Sequence, residues 1–274
     1  MRITHTVKMD FQRRLYLVFF LIFGSTLAVA EQTTTPIKVM VSAGHTDMAK
    51  AGGKQLQLSY PSSVRLEQIL ADSLANLALI SVDATTDQQP VYSTGAGLFT
   101  QFPHPEKSNV LYQLEQLSLQ ADEDDKVVYQ ALYQALSEQP IGLRIFTPLD
   151  YDMVRIERAA NPLITQDISL VLPRRPSTVL VLGAVSKPDV VAWQPRKTAE
   201  YYLGHVGSSR LANNSVATVI QPDGQLETHT IAYWNKNHRD IAPGATVYLG
   251  FSSLPSGYRS LNDEIINLLR NRAL

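Results

Sequence analysis

Residues 172–176 read Leu-Pro-Arg-Arg-Pro, and these two prolines constrain the fold more than any other feature of the sequence. Proline has no N–H for a sheet ladder, and it pushes the residue before it out of helical geometry. No regular element therefore passes through this point. The break predicts a boundary between a first block, residues 31–173, and a second, residues 174–255.

The second block is the easier to read. STVLVLGAV is an apolar strand, Pro188 sets a turn, and VVAW is a second strand. The segment beginning TAEYYLGHVG is helical. SVATVI and QLETHT are strands joined by the tight turn PDG, and TVYLGF after IAPG is the last strand. Two strands, a helix, two more strands and a final strand make a mixed sheet gripping one helix, which is a β-grasp order. Val179, Val181 and Val185 are expected to fill its core, Gly183 to relieve backbone crowding, and Trp193 to close the core or lie half exposed beside it.

In the first block, IKVMV and QLQLSY read as strands. The helix that follows would be capped by Ser62 or Ser63, with Leu66, Ile69, Leu70, Leu74 and Leu77 on one face. PVYSTGAGLFTQF returns to extended structure. Residues 107–139 then carry two helical patterns, one lined by Leu111, Leu114 and Leu117 and the other by Val128, Leu132, Ala135 and Leu136, which predicts a helical hairpin among strands. The acidic run at 122–125 falls where it opposes the dipole of the second helix, and it lacks EF-hand spacing. Residues 153–157 and 168–172 read as further strands.

The first 30 residues have the parts of a secretory signal: Lys8, Arg13 and Arg14, an apolar run, and a small-residue site at Ala28-Val29-Ala30. Cleavage is expected after about Ala30. With 0 cysteines the chain has no disulfide, thiol nucleophile, thiolate metal site or lipobox. Stability must come from packing, which 45% apolar residues can supply. The formal charge of −1 becomes −4 without the leader, which gives no reason to expect a nucleic-acid partner.

The V-x-V-x-G-x-V pattern at 179–185, Pro188, the strand-PDG-strand unit and IAPGATVYL resemble the soluble-ligand-binding β-grasp (SLBB) repeat of bacterial polysaccharide export proteins. ANPLITQDISLVLPRRPSTVLVLGAV, with a leader and a helical hairpin upstream, resembles the capsule-biosynthesis GfcC family of periplasmic proteins. The resemblance implies an α+β protein of two consecutive β-grasp domains, residues 31–173 with a hairpin at about 107–139 and residues 174–255, plus a C-terminal amphipathic helix in 256–274. It implies a periplasmic place in capsule or O-antigen polysaccharide export, and it carries over no catalytic residue or cofactor. Where export-channel repeats commonly have Pro-Gly-Asp, this chain has Pro243-Gly244-Ala245.

The residues themselves favour binding over catalysis. Histidines are scattered, no metal-ligand or nucleophile motif is present, and no cofactor or metal is expected. Asp150 and Asp152 lie two apart, so on an extended segment they would share a side at roughly 6.5–7 Å, a spacing a glycosidase pair could use. They are the basis of an alternative reading, a carboxylate-dependent polysaccharide-modifying enzyme. Sugar binding needs aromatic faces and planar polar groups, for which Trp193, Arg196, Tyr201, Tyr233, Trp234 and Arg239 are the candidates. In the C-terminal helix, Tyr258, Leu261, Ile265, Leu268 and Leu269 form a stripe that either packs on the chain itself or docks on a partner or membrane surface. The expected function is a non-enzymatic accessory one, with the polysaccharide and the outer-membrane export machinery as partners; a third reading makes the chain a structural, oligomeric channel component.

Overall fold

The structure is a computed structural model that describes residues 35–44, 54–80, 90–232 and 239–274. The expected signal sequence, Tyr233 and Trp234 lie outside the described residues. The fold is α+β, with two five-stranded sheets.

The first sheet begins with β1 (Ile37–Ser42), antiparallel to β2 (Gln55–Tyr60). A two-residue strand β3 (Val64–Arg65) leads into helix α1 (Leu66–Ala75). The sheet continues with β4 (Gly97–Gln101) and β5 (Leu143–Ile145). After helix α2 (Lys107–Gln120), helix α3 (Glu123–Ser137), helix α4 (Tyr151–Ile156) and the short strand β6 (Leu163–Ile164), the last strand is β7 (Ile168–Val171). The sheet order is β2-β1-β7-β4-β5, with β7 returning parallel to β1. β1 and β7 are therefore central, and their side chains Val39, Val41 and Leu170 are wholly buried with Leu66 and Ile69 of α1.

The second sheet contains β8 (Thr178–Gly183), β9 (Asp189–Ala192), helix α5 (Ala199–Val206), β10 (Val216–Ile220), β11 (Leu226–Thr230) and β12 (Thr246–Leu249). Its order is β11-β10-β12-β8-β9, and β12 runs parallel to β8. Both sheets follow one plan: an opening hairpin, a helix, two further strands, and a last strand inserted beside the first.

Two local readings are corrected. Residues 153–157 were expected to be a strand and instead fall mostly within α4. Asp150 sits at the helix N-cap, where its Oδ1 accepts from the Met153 N–H (3.1 Å), and Arg155 pairs with Asp152 (3.5 Å) one turn back. The cap decides the conformation of a segment too short for periodicity to do so. It also removes the shared-face geometry on which the Asp150 and Asp152 enzyme reading rested. The start of α1 is not capped by Ser62 or Ser63. Its first N–H groups are taken by a distant segment: Leu66 donates to Pro162 O (3.1 Å) and Glu67 to Asn161 Oδ1 (3.0 Å).

The hairpin α2–α3 forms where the sequence predicts it, and Asp122 caps α3 by accepting from the Asp125 N–H (3.0 Å). Although it lies between β4 and β5 in the chain, its buried residues Val110, Leu114, Val128 and Leu132 belong to the core of the second sheet. Arg210 fastens the same corner through ion pairs with Asp122 and with Asp125 (2.8 Å). Arg210 and the helix-start N–H groups hold the Asp122 carboxyl below its ordinary value of 3.8. A group whose pKa is depressed by folding stabilises above its unfolded value and loses that contribution as acid protonates it. The stability gap between the native protein and Asp122→Asn is therefore expected to be full above about pH 4 and to close below it; melting temperatures of both proteins across pH 3–7 check this.

The last helix, α6 (Leu261–Arg270), lies against α2 and β10. Leu261, Ile265, Leu268 and Leu269 are 0–2% exposed and part of the core of the second sheet, while the Tyr258 ring packs at its margin and its hydroxyl accepts from Gln120 Nε2 (3.3 Å). The stripe considered for partner docking is thus occupied by the chain's own core, because a face of four large aliphatic side chains is more stable buried than hydrated. Among the described residues, no helix is long and apolar enough to cross a membrane.

Candidate functional site

The chain after α6 brings the two sheets together at one place. Ala273 N–H donates to Pro140 O (2.8 Å), Gly142 N–H to Asn271 O (3.1 Å), and Arg144 N–H to Asn271 Oδ1 (3.0 Å). This lacing sets Arg270 and Arg272 beside Arg144 of β5. On the other side stands the turn at Pro222, Asp223 and Gly224, which joins β10 to β11. Gly224 has φ +86°, and a Cβ there would meet Phe146 Cε1 at 2.5 Å, so only glycine lets the turn tuck against that ring.

Two clefts flank the turn and share Thr94, Asp223 and Gln225 in their walls. The first, about 460 Å³, is lined by Arg144, Phe146, Asp150, Asp223 and Arg270 among others. Arg144 Nη1 donates to Pro222 O (2.9 Å) and Nη2 to Ala96 O (2.7 Å). Arg270 Nε donates to Gly224 O (2.9 Å), and its guanidinium lies 4.8 Å from the centre of the Phe146 ring. The Arg144 guanidinium lies 5.7 Å from the same ring. Arg272 reaches Gly244 O. Desolvation pushes Arg144 down to about 10, opposed by the charge of Asp223, and desolvation together with repulsion from Arg144 pushes Arg272 down to about 10. Both remain cationic at neutral pH.

The second cleft, about 440 Å³, is lined by Trp193, Arg196, Gln221, Glu227 and Asp240 among others. Trp193 is half-buried. Its Nε1 donates to Ile241 O (2.8 Å), and Arg175 lies 5.1 Å over its ring. Arg196 has φ +60°, an uncommon conformation for a side-chain-bearing residue and of the kind that gathers at ligand sites. Glu227 is held from two sides, by Gln221 Nε2 (3.0 Å) and by the buried His229 Nε2 (3.0 Å).

Of the residues expected to bind saccharide, the structure brings Trp193 and Arg196 together in the second cleft. Tyr201 stands apart on α5, edge-on to Tyr202 with the Lys197 ammonium 4.6 Å from its ring centre, and Arg239 is exposed outside both cleft walls. Sequence reasoning missed Arg144, Phe146 and Arg270. IGLRIF carried no signal of this role, because an arginine between two apolar residues of a strand is ordinarily read as the water-facing side of the alternation. Among the described residues, no group of three or more His, Cys, Asp or Glu is arranged to hold a metal ion.

What this architecture belongs to is decided by comparison with known families. Residues 47–175 match the family model described as capsule biosynthesis GfcC, N-terminal, and residues 187–273 match capsule biosynthesis GfcC C-terminal. The chain belongs to the capsule biosynthesis GfcC family. Over 168 residues, 60% of this chain and 67% of the relative, it is 30% identical to the uncharacterized protein YjbG of Escherichia coli (strain K12). Membership in the GfcC family suggests a role in capsule polysaccharide assembly or export, and this is a capsule-assembly accessory family rather than a known enzyme family.

Proposed function

We propose that this GfcC-family chain is an exported, periplasmic and non-enzymatic accessory protein that binds capsule or O-antigen polysaccharide in the paired clefts and presents it to the export machinery. The observation that carries the reading is the site itself: two adjoining clefts of about 460 and 440 Å³ around one turn, one with Phe146 and one with Trp193 in its wall. Flat aromatic faces receive the C–H side of a pyranose while carboxylates and amides take its hydroxyls. The non-enzymatic part rests on what the acids do. Asp150 caps a helix and Asp152 pairs with Arg155, so the Asp150 and Asp152 pair does not face one bond as a glycosidase pair must.

The strand order supports two β-grasp domains, because both sheets place the last strand parallel to the first and carry the second hairpin beyond it. The leader pattern in residues 1–30 supports the periplasmic part of this reading.

The test is affinity electrophoresis of the purified protein through gels containing capsular polysaccharide, followed by sizing of the recovered polymer. Retarded migration with unchanged polymer length is expected. Shortened or modified polymer would establish enzymatic action instead, and unaltered migration at every polymer concentration would remove the binding role.

A further inference from the structure

Arg144, Arg270 and Arg272 converge on one seam, and among the described residues none of them forms a salt bridge; Asp223 in the same wall acts on Arg144 through its charge. Their hydrogen bonds go to backbone carbonyls: Arg144 to Pro222 and Ala96, Arg270 to Gly224, and Arg272 to Gly244. A guanidinium has five N–H donors, so most of theirs are not used by those carbonyls. The ion pairs among the described residues involve other groups. Gathering like charges in a partly buried seam is unfavourable and is relieved when an anion joins them, and Arg144 already opposes the protonation of Arg272.

We propose that the Arg144–Arg270 cleft binds the anionic group of an acidic sugar residue, a uronate carboxylate or a sugar phosphate, with the sugar ring lying on Phe146. This inference rests on the polysaccharide-binding reading and deepens it. The guanidinium fork matches a carboxylate or phosphate in two parallel hydrogen bonds. Phe146 is 48% exposed, lines the cleft and is held in place between Arg270 and the Gly224 turn, so it offers a fixed apolar platform.

The acids in the wall refine the ligand. Asp150 Oδ1 is engaged by the Met153 N–H and Asp223 Oδ1 by the Gln225 N–H, which leaves each carboxylate a second oxygen for a hydroxyl donor. The same two negative charges repel a dense polyanion. A single anionic group surrounded by hydroxyls fits, whereas a nucleic-acid backbone does not.

Calorimetric titration of the purified protein tests this with four probes: a hyaluronan tetrasaccharide for the uronate, glucose 6-phosphate for the phosphate, maltotetraose as a neutral sugar and inorganic phosphate alone. At least one acidic sugar is expected to bind about tenfold more tightly than maltotetraose, and which one does so identifies the anion. Inorganic phosphate is expected to bind more weakly than the preferred acidic sugar, because it lacks the ring that rests on Phe146. Arg270→Gln is expected to weaken the preferred acidic sugar several-fold more than maltotetraose, so that the acidic preference shrinks, while the lost support of Phe146 lowers both affinities. Phe146→Leu is expected to weaken acidic and neutral sugars alike.

Should Arg270→Gln fail to fold, the native protein alone decides: acidic binding must fall as salt rises while neutral binding stays level. Equal affinity for acidic and neutral sugars overturns the inference and leaves polysaccharide binding intact. Inorganic phosphate binding as tightly as either acidic sugar overturns the sugar part of it. Absence of binding by all four probes, combined with unretarded migration through polysaccharide gels, removes both readings.

Discussion

Alanine at Gly183 is expected to destabilise the protein by about 4 kcal/mol, enough to lower its yield of folded material sharply. Gly183 ends β8 with φ +119°, a conformation essentially reserved for glycine. A Cβ there would stand 2.1 Å from Leu249 O and 2.8 Å from Leu249 N, both backbone atoms of the paired strand β12. No rotamer change relieves such a clash; the parallel ladder between β8 and β12, which carries the centre of the second sheet, would have to open. By contrast, Gly204→Ala on α5, where a Cβ meets nothing within 4 Å, is expected to be neutral or slightly stabilising. Urea unfolding of the two variants side by side checks the contrast.

The second large effect is expected at Ile265, whose replacement by alanine should cost about 3 kcal/mol and lower the melting temperature by about 6–12 °C. Ile265 is 0% exposed on α6, within the core that joins that helix to the second sheet and to the hairpin. Removing residues 257–274 withdraws Leu261, Ile265, Leu268 and Leu269 together, along with the strand-like lacing of Gly142 and Arg144 to Asn271. That truncation is expected to abolish cooperative unfolding. A truncated protein that melts like the intact one would show instead that the helix is dispensable to the fold.

The second sheet was legible almost element by element, because each of its signals is local: apolar alternation, a proline turn after β8, and Pro222-Asp223-Gly224 between β10 and β11. The hairpin was legible for the same reason, with Asp122 placed to cap α3. What escaped were the contacts made by residues far apart in the chain. Asn161 serves the start of α1 from 94 residues away, which no pattern around Ser62 and Ser63 can reveal. The stripe on α6 announced that it needed covering without saying by what, and the hairpin's choice of the second sheet rather than the first is likewise a tertiary decision.

The site divides along the same line. Trp193 and Arg196 stand three residues apart and could be suspected together. Arg144 and the Asn271 that holds it are separated by 127 positions, and only the lacing of the chain end along β5 creates the arginine seam. An arginine near a helix end also satisfies the helix dipole, so Arg270 had an ordinary explanation that concealed its other neighbour, Phe146.

Hydrogen–deuterium exchange of the protein with and without capsular polysaccharide tests the placement of the polymer most directly. Protection is expected in peptides covering residues 93–97, 143–150 and 222–227, the walls that the two clefts share or adjoin. Protection confined to the hairpin at residues 107–137 or to β2, or unchanged exchange under conditions where the polymer is retained, would contradict binding around the Pro222–Gly224 turn.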